Sequence, residues 1–140
     1  MNLDISRVKG MIFDYGGTID TEGRHWSEVL WEGYGQCGVA VKKDEFREAY
    51  VYAERELARE RHILPAHDFR DMLLIKVRIE LDWLVRQGLF APQSVDAMVE
   101  KITDYCYLYA KTCIEKARPV LEALSARYPL VLVSNFYGNI

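Results

Sequence analysis

The chain has 140 residues with 18 Lys and Arg against 21 Asp and Glu, a net charge of −3. That near-balance argues against a nucleic-acid partner, which would call for a basic excess or stripe. Half the residues are apolar and 28% charged, so the chain can bury a core and is not disordered. No apolar run follows the charged first ten residues as in a secretory signal, and none reaches the ~18 residues of a membrane span.

The first element is a strand. Val8-Lys9-Gly10-Met11-Ile12-Phe13 is a short, mostly apolar run that ends at Asp14 and meets Gly16-Gly17. Four amphipathic helices follow. Trp26, Val29, Leu30 and Tyr34 mark the first, which Gly35 and Gly38 end. Phe46, Ala49, Tyr50, Ala53 and Leu57 form the stripe of the second. The third starts at Asp68, whose side chain can cap it, and carries Phe69, Met72, Leu73, Ile79 and Leu84 before Gly88. The fourth follows Pro92 and Ser94, with Val95, Met98, Val99, Ile102, Cys106, Tyr109 and Cys113 inward. The charges between these stripes read as solvated faces. A fifth helix begins at Pro119, as proline favours the first turn. It leads into a second strand, Leu130-Val131-Leu132-Val133, which stops at Ser134-Asn135.

Uninterrupted apolar strands fit a parallel sheet covered on both faces, and both runs place their first polar side chains at the C-terminal end. In open α/β sheets that edge binds ligands. The expected class is therefore α/β. A partial Rossmann-like core (residues 1–20 and 117–140) is interrupted by an all-helical four-helix-bundle cap (residues 21–116). Two strands alone make a poor sheet. The chain thus reads as the N-terminal portion of a longer protein, or as one whose exposed sheet edges pair with a second copy.

Cys37, Cys106 and Cys113 are an odd set without a Cys-x-x-Cys pair. They read as small core residues in a reducing, cytoplasmic setting. His25, His62 and His67 show no metal-site spacing and read as surface or helix-end residues.

The sharpest motif is Phe13-Asp14-Tyr15-Gly16-Gly17-Thr18-Ile19-Asp20. A carboxylate at the end of a strand, followed by two glycines, lies where backbone amides approach an anion closely. Such a carboxylate can attack an electrophile or hold a magnesium ion, and Thr18 can hold its rotamer by a hydrogen bond. Here the sequence resembles the haloacid dehalogenase superfamily of hydrolases. Asp14, Gly17, Thr18 and Asp20 match that family's first motif, with Ile19 in the Leu position. Leu130 to Val133 with Ser134-Asn135 matches the second, and a helical cap commonly separates the two.

The resemblance implies that Asp14 is the nucleophile, forming an aspartyl phosphate that water hydrolyses. It implies that Gly17, Thr18, Ser134 and Asn135 line the phosphate pocket, with Ser134 bonding the transferring group. Asp14 and the Gly16 carbonyl would serve magnesium, and the substrate would be a small phosphorylated metabolite. Two departures stand out. The phosphatases carry a second Asp, a general acid/base, where this chain has Gly16. The family's later Lys and acidic metal ligands have no counterpart before Ile140, so as written the chain falls short of a competent enzyme. Relatives without the second Asp include phosphonatases, in which a cap lysine forms a Schiff base, and 2-haloacid dehalogenases. Lys76, in Leu73-Leu74-Ile75-Lys76, is the corresponding lysine candidate here, though on an amphipathic helix it reads first as solvated. A family member that binds rather than catalyses is the third reading.

Overall fold

Two short parallel strands and four helices are the main regular elements of residues 4–135, the part described by the computed structural model. Strand β1 (Met11–Phe13) pairs with β2 (Leu130–Leu132) in parallel, with Met11 opposite Leu130 and Phe13 opposite Leu132. The ladder extends at both ends. Met11 N–H donates to the Pro129 carbonyl at 2.9 Å, and Val133 N–H to that of Phe13 at 2.8 Å. The strands therefore finish together, and Asp14 and Ser134 follow at the same end of the sheet, as their apolar runs predict.

Helix α1 (Trp26–Gln36), α2 (Lys43–Arg59), α3 (Phe69–Arg86) and α4 (Val95–Ser125) form a bundle. α3 packs on α2 and α4, while α1 packs on α4 and α2. The third helix starts as the sequence suggests. Asp68 accepts the Asp71 N–H at 2.9 Å, and Asp71 accepts the Asp68 N–H at 3.0 Å, so two amides at the helix start are satisfied reciprocally. The core joins Leu30 and Tyr34 of α1, Phe46 and Ala49 of α2, Leu73, Val77 and Leu81 of α3, and Val99, Ile102 and Cys106 of α4. Trp26, Tyr50 and Phe69 pack against it half-buried. Gly33 permits the close approach of α1 to α4, since a β-carbon there would lie 3.1 Å from the Tyr105 ring and 3.3 Å from Cys106 Sγ.

Two expectations are corrected. The partial Rossmann-like α/β core is not present. The helices span 11, 17, 18 and 31 residues, against three in each strand. Among the described residues the chain is mostly helical with one two-stranded sheet. The apolar runs do form strands, but everything between them is helix or loop, so no further strand joins the ladder. The apolar side chains of the two strands stand open, as expected of two strands without further partners, for Ile12 is 75% and Val131 52% exposed. Second, the helices expected on either side of Pro119 are one, since α4 runs through that proline. Proline removes one hydrogen bond and normally interrupts a helix. Here Glu115, whose carbonyl it leaves without an amide, and Pro119 itself are both exposed, so the interruption falls on the solvent side of the helix, where the cost of a freed carbonyl is smallest.

Candidate active site

The loop after β1, Tyr15–Ile19, is shaped by one glycine and one buried carboxylate. Gly17 has φ 81°, a left-handed value that only glycine adopts without strain. Asp20 is fully buried and takes the Gly17 N–H at 2.7 Å and the Trp26 indole N–H at 2.7 Å. Burial pushes its carboxyl above the usual range, while these hydrogen bonds pull the other way. One side chain thus ties the loop backbone to the first turn of α1. Replacing Trp26 with Phe leaves an Asp20 oxygen short of a donor. The expected cost is about 1–3 kcal/mol, read as a lower urea midpoint.

Asp14 stands exposed at the end of β1, its carboxylate accepting the Tyr15 N–H at 2.8 Å. Thr18, expected to fix Asp14, is exposed, and its backbone lies instead on Asp20. Ser134 and Asn135 are exposed beyond β2.

Beside this sheet end lies a cavity of about 330 Å³. Gly16 and Gly17 of the loop and Asn135 after β2 contribute to its wall, along with Trp26 and Leu30 of α1 and His25 at its N-terminus. Tyr50 and Glu54 of α2 and Met72, Leu73 and Lys76 of α3 complete the lining. Three of the six expected site residues, Gly16, Gly17 and Asn135, are therefore brought to one cavity. Asp14, Thr18 and Ser134 adjoin it in sequence and are not among its lining.

Lys76 is the residue whose surroundings differ most from expectation. It is only 3% exposed, its ammonium pairs with the Glu54 carboxylate, and it stands 4.2 Å from the centre of the Tyr50 ring. Burial lowers its pKa to about 8. One turn along α3, Glu80 is fully buried, and burial raises its pKa to about 7. Tyr34 donates to one Glu80 oxygen at 3.0 Å, and the other oxygen has no partner among the described residues. Reading the charges of α3 as a solvated face is corrected at these two positions. A signal was present: Met72, Leu73, Lys76, Val77, Glu80, Leu81 and Leu84 follow one helical stripe, with both charges inside it.

His25 stays a surface residue and caps α1, its ring nitrogen accepting the Ser27 N–H at 3.1 Å, while its ring meets Tyr50 edge-on. For magnesium, the resemblance assigns one carboxylate, Asp14, and one carbonyl, that of Gly16, while the Asp20 carboxylate is taken up by the Gly17 and Trp26 N–H groups. No cluster of three or more His, Cys, Asp or Glu suited to a metal occurs among the described residues. That set alone falls short of an octahedral oxygen shell. Among the described residues, no helix is long and apolar enough to cross a membrane. No protein-family model, curated protein or solved structure matches this chain.

Proposed function

We propose that the chain forms part of a hydrolase of the haloacid-dehalogenase-like type, which acts through Asp14 on a small phosphorylated metabolite. The observation that supports this reading is the cavity, which joins the glycines after Asp14 and the asparagine after Ser134 to polar groups of three helix segments. In the reaction proposed, an Asp14 oxygen attacks phosphorus and the alkoxide leaves. Water then attacks the aspartyl phosphate, releasing phosphate and restoring the carboxylate. Gly16 offers no proton to the leaving group, and the Lys76 ammonium is the buried acid on the cavity wall. The three free thiols, Cys37, Cys106 and Cys113, fit work in the cytoplasm.

Lys76 favours a second reading, a phosphonatase-type hydrolase. A buried amine with a lowered pKa is partly unprotonated near neutrality and can add to a substrate aldehyde. Loss of water gives a protonated imine. That imine accepts the electron pair of the P–C bond when Asp14 takes the phosphoryl group.

Turnover of phosphomonoesters, phosphonoaldehydes and 2-haloacids, each with and without added magnesium, tests both readings. Borohydride trapping of a substrate on Lys76 selects the second, and absence of all turnover rejects both. Gly16→Asp adds a test of leaving-group chemistry. Gly16 has φ −64° and ψ 119°, which any residue adopts, so the loop backbone accepts a side chain. If the phosphatase reading holds, phosphomonoester turnover should rise by about 10²-fold or more. A folded variant without gain favours the phosphonatase-type reading.

A further inference from the structure

Glu80 has no place in the chemistry above, yet it is the most completely buried carboxylate near the cavity amine. A core position on α3 would be more stable with an apolar side chain, because an isolated buried charge costs several kcal/mol. Lys76 and Glu80 are four residues apart on one helix face, so they are neighbours. Glu54, the other carboxylate at Lys76, is 35% exposed and its charge is screened by water, whereas Glu80 acts through the low-dielectric interior.

We propose that Glu80 is a positioning residue for Lys76, a buried countercharge that sets how readily the cavity amine gives up its proton. Tyr34 serves the same end by donating to the Glu80 carboxylate and so favouring its charged form. The proposal rests on reading this cavity as the reactive site, and it deepens that reading by assigning control of the amine.

Every helix of the bundle faces the pair. α1 brings Tyr34, α2 brings Tyr50 and Glu54, and α4 brings Cys106, while His25 shares the cavity wall with Lys76. Burial holds Tyr50 up at about 12 and raises Tyr34 and Cys106 strongly, so these three stay neutral at neutral pH. Charge at the amine is then governed by the carboxylates, with His25 on the solvent side. The Glu80 charge favours the ammonium, and would equally favour an iminium formed from it.

The test is an NMR titration of the whole chain carrying ¹³C-labelled lysine, with the Lys76 signal assigned by its loss in Lys76→Met. In Glu80→Gln, which keeps an acceptor for Tyr34, the Lys76 midpoint should fall by about one pH unit or more. Tyr34→Phe leaves Glu80 in place, and should move the midpoint the same way by less. It also decides the matter if Glu80→Gln does not fold. An unchanged Lys76 midpoint in folded Glu80→Gln, or in Tyr34→Phe alone where the first does not fold, overturns the proposal. The titration needs no substrate. An inactive chain with a Glu80-dependent midpoint would therefore reject the hydrolase reading and still support the coupling.

Discussion

Asp14→Asn is expected to reduce hydrolysis by about four orders of magnitude or more, to assay background, without unfolding the chain. The asparagine keeps the size of the side chain and an oxygen to accept the Tyr15 N–H. What it loses is the charge and the nucleophilic oxygen, which no neighbouring group replaces in an aspartyl-phosphate mechanism. Because Asp14 is exposed at the end of β1, the unfolding midpoint should hardly move. Full turnover in a folded Asp14→Asn chain would remove the nucleophile assignment, whatever role the cavity plays. Turnover at background beside an unchanged midpoint is the result that separates chemistry from stability.

The second large effect concerns stability and pH. Glu80 titrates at about 7 in place of 4.5, so between those values the folded chain keeps a proton that the unfolded chain releases, and stability falls as pH rises. Lys76 titrates at about 8 in place of 10.5. Between those values the unfolded chain holds the extra proton, and stability recovers as pH rises. The pair therefore weighs most heavily between about pH 7 and 8. A triple variant, Lys76→Met, Glu80→Leu and Tyr34→Phe, removes both charges and the hydroxyl that would otherwise lose its acceptor. Urea unfolding at pH 7.5 should find it more stable than the parent by about 1–4 kcal/mol, with the gain shrinking at pH 5 and pH 10. Lys76→Met alone should instead destabilise by about 3–5 kcal/mol at pH 7.5, because Glu80 loses the ammonium that the parent still carries there. A parent more stable than the triple variant at pH 7.5 would show that the ion pair is a net contributor to the fold.

How far the sequence reaches depends on which force sets each feature. Leu130 to Val133 and Met11 to Phe13 were readable as strands because continuous apolar runs of that length suit little else. The helical stripes were equally plain, and Asp68 marked the start of α3 by its capping chemistry. The α/β class read more into the two apolar runs than they carry. It was an extrapolation from those runs, reinforced by the family resemblance, and the described elements are a helical bundle and a single strand pair. Pro119 misled because its effect depends on whether the carbonyl it strips is wet, which exposure decides and local sequence does not. Lys76 and Glu80 misled for the opposite reason. Charge on an amphipathic helix defaults to solvent, and only the partners brought by α1 and α2 make burial affordable.

The unbroken α4 has a mechanical meaning. At 1.5 Å per residue it is a rod of about 46 Å that starts in the bundle and ends beside the sheet. With one backbone hydrogen bond fewer at the turn of Glu115, flexure of the rod is expected to concentrate there. The chain's other crossing, from Ile19 to His25, is braced by Asp20 and by the Thr21 hydroxyl donating to the Arg24 carbonyl. A torque on the bundle therefore reaches β2 through a joint at Pro119, and reaches the loop after β1 through a strut. Of the two ends of the sheet connection, the one carrying Gly16 and Gly17 is the one held to the bundle, so the amine and the glycines of the cavity travel together.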